Sequence, residues 1–515
     1  MDSEPALRFT KTDFVFLAIL LAIATAIRLP YLQLIPVITD EVFEVLAAQR
    51  ISQGELIIFG PMNPTAGPLV TYLIALGFWV FGSQIHTPRI IIMVLGVLTV
   101  GLTYLLGRSL GGRRAGLIAG ALLAFSPIHT VVNSHVAWSN AATPFFITLT
   151  FLVLHAAVRR RSGWLLVLGG LSYGLALQTH VSMLVVIPGL VLWFLLRKDI
   201  LSWLRQPWPY LAAFAALLGY SNMIAFNLLT RGGSLENVQQ HTYAWVSEPT
   251  WAVYWTNVRN MVAAIGMSIG GQLPRVDDPL GSVIAGLLLV WLVASLIYAL
   301  WRGETLPALV MLSSVLVMPY FNKRYEGLLS QRYIAFLLPL CFAAMGWAAA
   351  HIAHLWRPKQ PTIRRGVAVG LTALAILLAI YPAQATLSHY TSETRAGRTN
   401  EAAIYMAGEL EEAVLSDTPV YISFELAGDP ASGGRRFRRS LAYYLMLEGV
   451  SHEVLELPEL ARRLKDIPSQ GAWLVLTTEG HRSLAQDFRV ERGPVGPPAP
   501  NGAHLARYVP VAEKP

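Results

Sequence analysis

The sequence predicts a mainly α, polytopic membrane bundle followed by a small C-terminal α/β domain. Three observations carry that prediction. The 515 residues are 54% hydrophobic and 14% charged, whereas soluble domains carry roughly 25% charged residues. The apolar residues fall in long blocks, and mean hydropathy is +0.50. After about residue 385 the blocks give way to mixed polar and apolar sequence. A soluble protein of this length, a collagen-like fibre and a disordered chain are excluded. The net charge of +8 does not argue for nucleic acid, because the basic residues punctuate the apolar blocks and set orientation instead. A single cysteine, Cys341, allows no disulfide within the chain and no cysteine metal site.

The blocks read as about eleven spans, at roughly 13–30, 89–109, 115–132, 141–158, 163–179, 181–197, 209–229, 279–301, 304–320, 331–351 and 364–384. Each is near the length that crosses about 30 Å of hydrocarbon. The first block mimics a signal peptide, since Ala24-Thr25-Ala26 resembles a cleavage site, but its leading segment has no positive excess; an uncleaved helix is expected. Pro68–Phe81, about 14 residues, is short for a span. With that stretch not crossing, the short loops dense in Arg and Lys (Arg108/Arg113/Arg114, Arg159–Arg161, Arg197/Lys198, Arg357–Arg365) all fall on one side, the cytoplasmic one by the positive-inside rule. The chain is then a multi-pass cell-membrane protein with a cytoplasmic N-terminus and an extracytoplasmic tail. It divides into a transmembrane domain, 1–384, and a soluble α/β domain, 385–515.

Two long loops face outward, 31–88 and 230–278. In the first, Val42, Val45, Leu46 and Gln49 recur at helical spacing and predict an interfacial helix. The second is rich in Tyr and Trp, as expected at headgroup level. The tail predicts a helix over 399–414, a strand at Val420–Ser423, a helix over 437–448, then strands at Glu453–Leu457 and Trp473–Thr477. It contains no Gly-rich phosphate loop, and no repeat of 20–50 residues is visible.

Candidate chemistry gathers at the outer face. Asp40-Glu41 opens the interfacial helix; a carboxylate there can take a proton from a nucleophile or ligate a divalent cation. The competing reading is that Asp40 simply caps the helix. The second outer turn, Ser126–Phe146, holds His129, His135 and Asn140, and the third holds Gln178-Thr179-His180; these are a polar pocket or ordinary turns. Lys323-Arg324 and Arg332 form a basic cluster against the positive-inside trend, which suits an interfacial phosphate or plain headgroup anchoring.

The order of these features resembles the GT-C membrane glycosyltransferases, the superfamily of dolichyl-phosphate-mannose–protein mannosyltransferases and aminoarabinose lipid A transferases. The resemblance runs through Asp40-Glu41, Pro61-Met62-Asn63-Pro64, Tyr72–Gly82, Pro88-Arg89, Leu106-Gly107-Arg108, Gly111-Gly112-Arg113-Arg114 and Ser126-Pro127, and later touches Gln331-Arg332-Tyr333. It implies transfer of one sugar from a polyprenyl-phosphate donor, with membrane lipids around it, to a lipid, glycan or protein acceptor, and no nucleotide cofactor. Asp40, with Glu41 beside it, falls on the family's acidic base or metal position. Arg89, Lys323, Arg324 and Arg332 would meet the donor phosphate, and His135, Asn140 and His180 would line a second-loop pocket. Many members carry Arg and Asp where this chain has His135 and Asn140, which leaves a divalent metal on Asp40 and Glu41 open. The chemistry expected is attack of an acceptor hydroxyl with inversion. A transporter or flippase of lipid-linked saccharides would place polar groups within the spans, where few are found; a catalytically silent assembly subunit is the other alternative.

Overall fold

The computed structural model describes residues 9–33, 35, 37–59, 66–234, 236, 250–271, 279–322, 328–355, 370, 380–381, 384, 394–416, 418–427, 434–467 and 471–510. The chain separates into two compact units: one of Met1–Pro30, Leu56–Tyr72 and Ile91–Ser388, the other of Tyr31–Glu55, Leu73–Ile90 and His389–Pro515.

The first unit is helical because a chain in hydrocarbon must satisfy its own backbone polar groups. Among the described residues, five helices are long and apolar enough to cross a membrane: Lys11–Tyr31, Thr87–Ala124, Ser139–Arg160, Pro279–Arg302 and Ala335–His354. A sixth arises if Trp208–Gly219 and Ser221–Leu229, bent by 63°, form one span. The other apolar blocks take different forms. Thr87–Ala124 turns back on itself at Gly111 and Gly112, the latter at φ 82°, so it is a pair of helices that carry the 89–109 and 115–132 spans. Its legs meet at glycines: a Cβ on Gly107 would lie 2.9 Å from the Ala115 carbonyl, and one on Gly116 2.6 Å from that of Tyr104. Val181–Leu195 and Leu306–Phe321 are apolar but shorter. Most of the 364–384 span lies outside the described residues.

Two basic residues of the Arg108–Arg114 loop do more than set orientation. Arg108 and Arg113 both donate to the buried carboxylate of Asp13, through Nε at 3.1 and 3.0 Å, and Tyr104 donates its hydroxyl at 3.0 Å. Asp13 also closes a capping box with Thr10, so one acid both starts the first helix and ties it to the hairpin.

The second unit is built on a five-stranded sheet of order β2-β1-β3-β5-β4, where β1 is Val420–Ser423, β2 His452–Leu455, β3 Ala472–Leu476, β4 Val490–Arg492 and β5 His504–Tyr508. β1 pairs in parallel with β2 and β3, and β5 runs antiparallel to both β3 and β4. β1 is buried along its length, as a central parallel strand must be. The predicted helices are found at Thr394–Leu415 and Gly434–Leu447. The sequence reading missed Leu457–Lys465, Thr478–Leu484, β4 and β5, all too short for periodicity to register. The loop helix is Thr39–Ser52, and the short apolar stretch is the 13-residue helix Leu69–Phe81.

Candidate active site

The Asp40-Glu41 pair sits where a helix begins, in the second unit. Ile38 is the cap residue, at φ −102° and ψ 160° with no side-chain cap bond. Asp40 is therefore inside the first turn rather than capping it, which corrects the capping reading. Acidic residues there meet the positive end of the helix dipole. Neighbouring positions on a helix point about 100° apart, so the two carboxylates have separate fates.

Glu41 is 1% exposed and Arg89 2%. Arg89 Nε donates to Oε1 at 2.7 Å and Nη2 to Oε2 at 2.8 Å, a two-point fork that suits a carboxylate. Its remaining Nη1 donates to the carbonyls of Ile35 at 2.7 Å and Leu32 at 3.3 Å. Glu41, expected in catalysis, and Arg89, expected at the donor phosphate, neutralise each other away from solvent. Asp40 is only half-buried, and Glu44 lies one turn along the same face. Both Glu41 oxygens are held by Arg89, and among the described residues no three His, Cys, Asp or Glu side chains gather.

The tail supplies partners that sequence reasoning missed. Ser440 Oγ accepts from the Val37 amide at 3.2 Å, and Gln49 Nε2 donates to the Leu447 carbonyl at 2.9 Å. Tyr444 donates to Asn400 Oδ1 at 3.1 Å, and Asn400 Nδ2 donates to the Gln33 carbonyl at 2.5 Å. Gln33 in turn donates to His86 Nδ1 at 3.0 Å. The Tyr444 phenol is pushed up to about 12, chiefly by burial and then by Glu41, while Arg89 pulls the other way. Nothing in a single chain of residues some 400 apart signals such pairings.

In the first unit, the Ser126–Phe146 turn is built around a buried arginine. Ser126 caps Pro127–Val132, accepting from the His129 amide. Arg28 donates to Ser134 Oγ, His129 Nδ1 and the carbonyls of Ala24 and Ala124, each at 3.1 Å. His135 Nε2 donates to the Arg28 carbonyl at 2.9 Å. His129 and His135 thus both bond to Arg28, a residue that falls inside the first expected span.

Beside them, Arg332 lies with its guanidinium carbon 4.2 Å above the Trp138 ring and 4.9 Å from that of Tyr333, and donates to the Tyr333 hydroxyl at 2.9 Å. The His180 ring stands 5.6 Å from Tyr333, its Nδ1 accepting from the Ser182 amide at 3.0 Å. Burial, and secondarily Arg332, lower His180 to about 3, so it is neutral near pH 7. Thr179 donates to Thr143 and Thr143 to Asn140 Oδ1, at 2.9 and 3.4 Å, tying the two turns together. Trp138 Nε1, Asn140 Nδ2 and both amide atoms of Gln331 are buried with no hydrogen-bond partner; such atoms call for a ligand or ordered water. The structure thus gathers Arg332, Asn140 and His180 around Trp138 and Tyr333. Lys323 and Arg324 lie outside the described residues.

Three comparisons with known proteins bear on the fold. The model of the dolichyl-phosphate-mannose-protein mannosyltransferase family matches residues 64–226. A protein of Aquifex aeolicus (strain VF5), described only as uncharacterized, is 30% identical over 157 residues, covering 30% of this chain and 31% of that one. The chain therefore spans under a third of that relative. The crystal structure of ArnT from Cupriavidus metallidurans bound to undecaprenyl phosphate is similar over 98% of this chain and 99% of that one, at 14% identity and a TM-score of 0.62. Its apo state is similar over 96% and 98%, also at 14% identity, with a TM-score of 0.59.

Proposed function

We propose that this chain, which by fold belongs to the GT-C superfamily of membrane glycosyltransferases, moves a single sugar from a polyprenyl-phosphate donor to a lipid, glycan or protein acceptor at the extracytoplasmic face. The observation that carries the reading is the treatment of Asp40. Its neighbour Glu41 is locked by Arg89, which fixes the first helical turn and leaves Asp40 half-buried. The ArnT structure holding undecaprenyl phosphate and the lipid-phosphate sugar in the matching family's description support the donor class.

Asp40 then takes the proton of an acceptor hydroxyl as that oxygen attacks the anomeric carbon. The bond between the anomeric carbon and the phosphate oxygen breaks, and its electron pair leaves with the polyprenyl phosphate. Attack from the face opposite the leaving group inverts the centre. Arg332, held over Trp138, meets the charge developing on the phosphate. Arg89 and Glu41 position Asp40 rather than touching substrate. Replacing Asp40 with Asn in the full chain, and following transfer of labelled hexose from a polyprenyl-phosphate donor, tests the assignment. Transfer should fall by roughly 10²–10⁴-fold with unfolding temperature unchanged; undiminished transfer would remove Asp40 from the mechanism.

A further inference from the structure

Two histidines of the tail meet where a helix crosses the start of a strand. Leu476 ends β3 and stands opposite His504, the first residue of β5. Past Leu476 the chain turns at once into the helix Thr478–Leu484, capped by Thr477, whose hydroxyl accepts from the Gly480 amide at 3.0 Å. One turn of that helix brings His481 back over β5. His481 Nδ1 and His504 Nε2 then stand 3.1 Å apart, and both rings are partly exposed.

The other nitrogen of His504 fixes which lone pair is free. His504 Nδ1 lies 2.9 Å from the Gly502 carbonyl. A carbonyl can only accept, so Nδ1 carries the proton and Nε2 of the neutral ring is a bare lone pair. Metal-ligating histidines are oriented by this kind of bond from the second ring nitrogen. The same carbonyl accepts from the Thr478 hydroxyl at 3.3 Å. Gly502 has φ 64°, and a Cβ there would run into Thr478 Oγ1, so the close approach of the helix requires glycine. His481 is held below the ordinary imidazole value by burial first, then by His504 and Arg492, which keeps its ring neutral and able to ligate.

Ring spacing separates a hydrogen bond from a metal bridge. A straight N–H···N bond of 3.1 Å would put the ring centres about 5.4 Å apart. Two imidazole nitrogens on a tetrahedral ion, each about 2.0–2.1 Å from it, stand roughly 3.3 Å apart, with ring centres roughly 5.2 Å apart. The ring centres here are 5.0 Å apart, so the rings lean off the line between the nitrogens, as they must to share an ion. We propose that His481 Nδ1 and His504 Nε2 bind one divalent transition-metal ion of the zinc(II) and copper(II) class, which neutral imidazole suits. Among the described residues no third His, Cys, Asp or Glu joins the pair, so water completes the coordination. Bound there, the ion ties the helix Thr478–Leu484 to β5, while the nearby Arg492 charge opposes it and limits affinity. The site lies wholly in the tail and is independent of the transfer reaction.

The test uses the full chain, purified without a polyhistidine tag and stripped with a chelator, in phosphatidylcholine nanodiscs above pH 7, where imidazole is neutral. Zinc(II) is titrated by calorimetry, and copper(II) is followed by electron paramagnetic resonance. Wild type should bind zinc(II), and the ion should raise its unfolding temperature. His481→Ala and His504→Ala should each weaken zinc(II) more than tenfold, because losing even a group that orients a ligand costs about 10–100-fold. His452→Ala should bind as wild type does, since that ring lies on β2 against the Val450 carbonyl. The copper(II) spectrum should show coupling to two nitrogens in wild type and to one in either alanine variant at the pair. Zinc(II) uptake that both of those variants retain unchanged, no uptake by wild type, or a wild-type copper(II) spectrum coupled to a single nitrogen would each overturn the assignment.

Discussion

Arg89 and Glu41 form a buried fork, with Nε to Oε1 at 2.7 Å and Nη2 to Oε2 at 2.8 Å, and the same guanidinium ties down the carbonyls of Leu32 and Ile35. One side chain thus joins the helix that carries Asp40 to the strand of loop before it. Removing either partner strands the other's charge in a site that excludes water. Arg89→Ala should cost about 3–5 kcal/mol, read as a lower unfolding temperature in detergent. Arg89→Met with Glu41→Leu should recover much of that stability, because two apolar groups need no counter-charge. Transfer should stay low in the double variant, since the Leu32 and Ile35 carbonyls lose their donor. Full transfer there would mean that the fork serves stability alone.

The tail should matter to catalysis through the same loop. Ser440 is buried and accepts from the Val37 amide, so Ser440→Ala leaves a backbone N–H without a partner at a cost of about 1–3 kcal/mol. Tyr444→Phe removes one buried hydroxyl and should cost about 1 kcal/mol. A loosened Asp40 turn should lower kcat with donor KM nearly constant, and Ser440→Thr, which keeps the hydroxyl, should restore it. Equal loss of kcat in Ser440→Thr would trace the effect to packing instead.

How much of this was legible in the sequence depended on distance along the chain. Asp40-Glu41 stood out because adjacency and the helical spacing after them are local, and β1 was found at Val420–Ser423 for the same reason. The division of labour between the two acids was not legible. It depends on Arg89, which lies 48 residues on and which the family resemblance assigns to the donor phosphate. Arg28 was hidden in an apolar block, although an arginine at the end of a span is itself a sign of buried partners. The turn at Gly111-Gly112 separates two helices within Thr87–Ala124, and the break at Tyr220 bends another segment by 63°; hydropathy sees length and not direction.

His180 makes a pH-dependent contribution of known sign. Its ordinary value of 6.5 falls to about 3 in the fold, through burial first and Arg332 second. Between those values the unfolded chain binds a proton that the folded chain refuses. Stability from this group is complete above pH 6.5 and is lost as pH falls toward 3, at up to roughly 1.4 kcal/mol per pH unit. Unfolding temperatures from pH 7 down to pH 4 should drop less steeply in His180→Asn than in wild type. Parallel curves would show that His180 is not the group refusing the proton.

Arg332 over Trp138 gives the sharpest test of donor binding. The guanidinium carbon is 4.2 Å from the ring centre, and a cation desolvated against an indole face gains about 2 kcal/mol. Trp138→Leu removes that face while leaving the charge, so Arg332 becomes free to leave the position from which it would meet a phosphate. Affinity for a short-chain polyprenyl phosphate, measured by calorimetry in nanodiscs, should fall roughly 10–30-fold, since 1.4 kcal/mol is about tenfold. Trp138→Phe keeps an aromatic face and should lose less. Arg332→Lys should lose nearly as much as Trp138→Leu, because a lysine ammonium cannot lie flat on the ring and still reach Tyr333. Unchanged affinity in both Trp138→Leu and Arg332→Lys would place the phosphate elsewhere.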